Sequence, residues 1–161
     1  MDILRRDLDL HRMSTGHPTR VETCIRKISQ KLFQYQGHLG AALIIGGVEA
    51  TGPVLASVSP HGYVQKTPSL TMGSGSLAAM ASIEAEWDGF ADLDEEAAIE
   101  ICRRAIRAGI FNDLGSGSSV DVAIVKKDTA TRTLRHLESP NARPYRPAQP
   151  YRFPKGTTAV K

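Results

Sequence analysis

Thr71–Met80 reads TMGSGSLAAM and Ala108–Ser118 reads AGIFNDLGSGS. Both stretches place a Gly-Ser-Gly-Ser loop where one kind of periodicity gives way to another. Downstream of the first loop, apolar residues spaced for a helix run from about Ser76 to Trp87, preceded by a short strand over Ser69–Met72. A loop around Asp88-Gly-Phe leads into a second helix. Asp94, Glu95 and Glu96 stand in its first turn, and Arg103, Arg104 and Arg107 stand toward its end, the charge order that a helix dipole favours. Ile99, Ile101, Cys102, Ala105 and Ile106 form its apolar side. The second loop opens onto two strands, Val120–Val125 and Thr131–Leu137, closed into a hairpin around Lys127-Asp-Thr.

Upstream of the first loop the pattern is again helix, then strand. Ile3, Leu4, Leu8 and Leu10 suggest the end of an amphipathic helix. Thr19 and Glu22 have capping-box spacing ahead of Val21, Ile25, Ile28, Leu32 and Tyr35, and Gly37 supplies the stop. His38–Val48 is then a run of small and branched apolar residues that reads as a buried strand. Thr51-Gly-Pro and Pro60-His-Gly turn the chain into Val54–Ser59 and Tyr63–Gln65, an antiparallel meander. The order helix, helix, meander, two helices, hairpin predicts an α+β protein with helix layers on antiparallel sheet.

Composition narrows the classes. Of the 161 residues, 41% are hydrophobic and 23% charged, ordinary for a soluble globular chain and wrong for a disordered one. No apolar stretch approaches the length that spans a bilayer. The opening MDILRRDLDLH carries acids where a secretory signal has an apolar core, so the protein reads as intracellular. Cys24 and Cys102 fall within helical apolar patterns without C-x-x-C spacing and read as buried free thiols. The net charge of +3 does not compel a nucleic-acid partner. Much of the excess lies in residues 140–161, where Arg143, Arg146, Arg152, Lys155 and Lys161 alternate with prolines and aromatics. This extended arm suits a path along a partner subunit better than an RNA.

The Gly73-Ser-Gly-Ser-Leu-Ala78 segment satisfies G-x-G-x-x-A between a strand and a helix. A dinucleotide fold also needs a crossover to a parallel strand, and here a second helix intervenes. No P-loop and no G-x-S-x-G elbow is present. His11, His17, His38, His61 and His136 are scattered without ligand spacing. From spacing alone the two loops read either as tight turns with serine caps or as parts of a site. Asp113 reads equally as a helix-end acceptor.

A resemblance decides between these readings. Leu10–Gly16 (LHRMSTG), Leu32–Val48 (LFQYQGHLGAALIIGGV), Thr51-Gly-Pro, Pro60-His-Gly, Thr71–Met80, Ala108–Ser118 and Lys155–Val160 (KGTTAV) together resemble proteasome beta subunits, in the right order over nearly the whole chain. The similarity is to the trypsin-like catalytic type in particular. It implies the N-terminal-nucleophile hydrolase fold, an αββα four-layer sandwich, with residues 1–139 as a partial beta-type domain and residues 140–161 as a tail holding a late strand. It also implies a 20S core subunit in cytoplasm and nucleus, with other alpha and beta subunits as partners and unfolded polypeptides as substrates. Neither cofactor nor metal is implied, and neither nucleic acid nor membrane.

In that family a threonine freed at the N-terminus attacks the peptide carbonyl, and its own α-amine serves as base. By motif match the supporting aspartate and serines fall on Asp113, Ser116 and Ser74, hydrogen bonding around the amine and a bound water. The family's opening section, with the nucleophile threonine and the lysine, has no counterpart before Met1, so the fold is expected without its N-terminal strands. The Gly156–Thr157 bond is the only Gly-Thr junction and would release just five residues. As written, the chain is therefore expected to lack threonine-type endopeptidase activity of its own. The competing expectations are a non-catalytic structural or assembly-related beta-like subunit and, more weakly, a nucleotide-binding module.

Overall fold

The computed structural model describes residues 2–86, 93–139, 154, 156 and 157. Two helices, α1 (Asp2–Thr15) and α2 (Val21–Gln34), precede strands β1 (Leu43–Glu49), β2 (Gly52–Val58) and β3 (Val64–Lys66). Helices α3 (Ser76–Glu86) and α4 (Glu95–Asn112) follow, then strands β4 (Val122–Ile124) and β5 (Arg132–Leu134). The order is the one the periodicities predict, and the chain is α+β.

The meander pairs antiparallel in the order β1-β2-β3, with Leu43 opposite Val58 and Ile45 opposite Ala56. Because side chains alternate along a strand, Leu43, Ile45, Val54, Ala56, Val58 and Val64 share one face. That face receives Ile25, Ile28 and Leu32 of α2, the residues at helical spacing, and Ala56 and Val58 lose all contact with solvent. Gly47 lets the helix start close to the sheet, since a Cβ there would stand 2.4 Å from Val21 Cγ2. α1 contributes Leu4 to the same cluster, and Lys27 ties it to α2 through Asp7 at 2.9 Å.

The second assembly is α3 on α4, through Ala79 and Ile83 against Ala105 and Ile101. Asp94 is the N-cap, its Oδ1 accepting from Ala97 N–H at 2.7 Å, so it precedes the first turn where the sequence put it inside. The β4–β5 hairpin pairs Val122 with Leu134 and Ile124 with Arg132. Ion pairs pin it to α4 at both ends: Glu95 meets Lys126 and Arg132, and Glu138 meets Arg103 and Arg107, each arginine at 3.2 Å.

Four local expectations are corrected. The capping box fails because Thr19 Oγ1 donates instead to the Leu8 carbonyl, while Glu22 N–H is taken by Glu49 Oε1 at 3.0 Å. A carboxylate from the far end of β1 thus does what the local side chain was expected to do. Ser69–Met72 is not a strand. Pro68 removes a ladder donor, and the hydroxyls of Thr67 and Thr71 bond the Ser69 and Ser76 carbonyls at 2.6 and 2.9 Å. The strand expected from His38 starts only at Leu43, after a turn closed by His38 N–H on the Tyr35 carbonyl. Both cysteines are free, but Cys24 is only half-buried and Cys102 is exposed. The late strand and most of the tail lie outside the described residues; of the tail, Pro154, Gly156 and Thr157 are described, and Thr157 N–H bonds the Pro154 carbonyl in a turn.

Candidate functional site

The two Gly-Ser-Gly-Ser loops face each other. Ser74 sits in the loop that enters α3, Asp113 is the C-cap residue of α4, and Ser116 lies three residues further on. The α3–α4 packing brings the start of one helix beside the end of the other, and Gly75 meets Gly109 across that contact. All three residues singled out in the sequence come together at one point. Ser74 Oγ donates to Asp113 Oδ2 at 2.6 Å, and Ser116 Oγ donates to the same oxygen at 2.5 Å. The second carboxylate oxygen, Oδ1, accepts from Gly115 N–H at 3.3 Å.

Three donors on one carboxylate favour its charged form. The Ser116 hydroxyl, then the Ser74 hydroxyl and the Gly115 amide hold the Asp113 carboxyl below the usual aspartate range. Among the described residues no lysine, arginine or histidine lies within ion-pair distance of it. The cluster therefore carries a negative charge that none of the described residues neutralises. Its hydrogen-bond polarity is also one-sided. Each serine hydroxyl has a single proton, which it has given to Asp113, so what remains on both oxygens is lone pairs. Ser74 is exposed, and Asp113 and Ser116 are half-buried, so the lone pairs are reachable from outside. Such an arrangement receives a cationic N–H donor and offers nothing to an anion.

Three residues that sequence reasoning did not single out complete the site. Thr71 braces the first loop through its bond to the Ser76 carbonyl at 2.9 Å. Gly75 lies under Ser116, where a Cβ would stand 3.0 Å from the hydroxyl oxygen, and Gly115 lies equally close to Ser74 Oγ. The repeated Gly-Ser pairing was the available signal, although turn geometry alone accounts for such pairs equally well.

Elsewhere the chemistry is sparse. Among the described residues no group of three His, Cys, Asp or Glu is placed to hold a metal ion. No helix among them is long and apolar enough to cross a membrane. A groove of about 380 Å³ lies at the start of α2, between the β1–β2 turn and the β4–β5 turn. Glu49 already occupies the helix start there. His136 Nδ1 lies 2.9 Å from Ser119 Oγ, but the nearby Asp121 bonds the His136 backbone and not its ring, so no relay is built.

A family model described as proteasome subunit matches residues 1–125. Proteasome subunit beta type-7 of Dictyostelium discoideum is 50% identical over 153 residues, 95% of this chain and 56% of that protein. Proteasome subunit beta type-2 of Saccharomyces cerevisiae is 45% identical over 154 residues, covering 96% of this chain and 58% of its own length. Proteasome subunit beta type-10 of Bos taurus is 45% identical over 154 residues, covering 96% and 55%. The chain thus spans somewhat more than half the length of these relatives. The family match takes in Ser74, Asp113 and Ser116 together, and the chain belongs to the proteasome subunit family, where its similarity is to beta subunits.

Proposed function

We propose that this chain is part of a trypsin-like beta subunit of the 20S proteasome core, and that the Asp113 cluster seats the α-amine of an N-terminal threonine nucleophile. The observation that carries the reading is the Asp113 carboxylate, with two serine hydroxyls committed to it as donors and no ion-pair partner among the described residues. An α-amine titrates near neutrality and presents two or three N–H groups, which suits the outward lone pairs of Ser74 and Ser116. With its N–H groups held there, the amine keeps its remaining lone pair for the threonine hydroxyl proton. The hydroxyl oxygen attacks the peptide carbonyl as that proton moves to nitrogen, and the nearby carboxylate stabilises the ammonium that forms.

In this reading the two sheets belong to the family's αββα sandwich, and other alpha and beta subunits are the partners. Unfolded polypeptides are the substrates, cut after basic residues, in cytoplasm and nucleus. The test is Asp113→Asn in the full-length gene product, assayed in purified core particles. Hydrolysis of a peptide with a basic P1 residue should fall by about 100-fold, the scale of a lost proton-transfer arrangement. A variant that assembles and retains the parent rate would overturn the assignment. So would a tagged chain that never sediments with the particle.

A further inference from the structure

The two loops do more than place their serines near one carboxylate. Each serine hydroxyl lies over the glycine of the other loop. A Cβ on Gly75 would stand 3.0 Å from Ser116 Oγ, 3.2 Å from Gly109 Cα and 3.4 Å from Asp113 Oδ2. A Cβ on Gly115 would stand 3.0 Å from Ser74 Oγ and 3.5 Å from Asp113 Oδ2. Neither glycine adopts a positive φ, so neither is there to satisfy an unusual backbone. What both positions require is the missing side chain itself. The geometry points to Gly75 and Gly115 as positioning residues, whose bare backbones let the two hydroxyls interleave on a single Asp113 oxygen.

At 3.0 Å a methyl beneath either hydroxyl requires that hydroxyl to give by a few tenths of an ångström, at the expense of its bond to Asp113, 2.6 Å for Ser74 and 2.5 Å for Ser116. An alanine at position 75 lifts Ser116 away from Asp113, and one at position 115 lifts Ser74. In both cases a serine is freed to turn its proton outward, so the site gains a donor where it had a lone pair. Gly109 supplies the contrast. It abuts Gly75 across the helix contact, yet a Cβ there would meet Gly75 O at 3.5 Å, an ordinary van der Waals distance. At Gly75 the close approach of Gly109 Cα adds to the demand of the Ser116 hydroxyl, whereas at Gly115 the side chains of the cluster alone impose it.

This inference rests on the reading that the cluster serves an amine, and the experiment separates the two. Gly75→Ala, Gly115→Ala, Gly109→Ala and Asp113→Asn are compared in assembled full-length particles, with basic-P1 peptide hydrolysis followed across pH. Gly75→Ala and Gly115→Ala should each lower kcat about 10-fold or more while KM stays within about twofold, because a transition-state interaction and not substrate binding is lost. The acid limb of the pH profile should move in both, since a donor to Asp113 has been displaced. Gly109→Ala should stay within about twofold of the parent in both constants.

A double variant, Gly115→Ala with Ser74→Ala, should lose no more than Ser74→Ala alone, because the hydroxyl that the methyl displaces is already gone. Parent kcat and an unmoved acid limb in Gly75→Ala and Gly115→Ala would overturn the inference. Equal damage from Gly109→Ala would do so as well. If Gly75→Ala does not assemble, Gly115→Ala in its exposed loop decides the matter by the same kcat and pH criteria. Should Asp113→Asn retain full activity, the amine reading itself falls. Should Asp113→Asn fail while both alanine variants work, only the glycine assignment falls.

Discussion

Asp113 illustrates how one residue's ionisation is set by neighbours that carry no charge. Its pKa is depressed first by Ser116, next by Ser74, and then by the Gly115 amide. For a group whose pKa is lower folded than unfolded, the stabilisation is complete above the ordinary aspartate pKa of about 3.9 and is lost as pH falls through the lowered folded value. The cluster is therefore intact across the neutral range and dissolves only in acid. Removing donors should raise the Asp113 pKa in the order of their weight. Ser116→Ala is expected to raise it more than Ser74→Ala, measured by NMR titration of the Asp113 carboxyl carbon. An unshifted or lower value in Ser116→Ala would show that the hydroxyl does not hold the charged form. Glu100 is the comparison case, held at about 2 by the Arg103 and Arg104 side chains on its own helix. There charge-assisted bonds produce the depression, whereas at Asp113 neutral donors do, which leaves the Asp113 charge available to a ligand.

At the scale of elements, α2 is fixed on the meander by residues distant in sequence, and its start is the informative end. Glu49 from β1 bonds Glu22 N–H, Lys66 from β3 pairs with Glu22, and Gly47 leaves room for Val21. Glu49→Ala should destabilise the protein by about 1 kcal/mol, the usual cost of a lost helix cap. Gly47→Ala should cost more, because its methyl would stand 2.4 Å from Val21 Cγ2, and Val21→Ala in the same chain should restore part of the loss. Denaturant midpoints of the full-length protein check both, and strictly additive effects of the pair would contradict the contact. These details also mark what a reader of the sequence can recover. The spacing of Ile25, Ile28 and Leu32 and the alternation along β1 and β2 predict the core face, because burial imposes those periods directly. Thr19 misleads because a cap can come from anywhere that folding brings near, and Glu49 is 27 residues beyond Glu22. Ser74, Asp113 and Ser116 were legible only through their motifs. Nothing in the spacing of Ser74 and Asp113, 39 residues apart, requires them to touch.

For the whole molecule, the distribution of burial is the decisive observation. The described core consists of two clusters, one of Ile25, Ile28, Leu32, Ala56 and Val58 and one of Ala79, Ile83 and Ala105, with Val120 buried outside both. The second is built largely from alanine, which contributes little apolar area. Meanwhile Ile3, Met13, Phe33, Tyr63, Leu77 and Leu114 are each at least two-thirds exposed. Ile44 on β1 is also exposed, and among the described residues β1 pairs with β2 alone, so none of them covers its other edge. An open edge beside exposed apolar side chains is a template for unwanted strand pairing. Two small clusters also give weak cooperativity, because α2 packs on the meander and α3 on α4, with little among the described elements to make one assembly depend on the other. The 161-residue polypeptide expressed alone is therefore expected to aggregate, or to bind a hydrophobic dye and lack a sharp thermal transition. Sedimentation velocity and calorimetry on the purified chain decide this. Association with other subunits of the particle should suppress the dye binding, as covering those faces requires. A dispersed monomer with one sharp endotherm would mean that the two clusters, small as they are, suffice to hold this chain together.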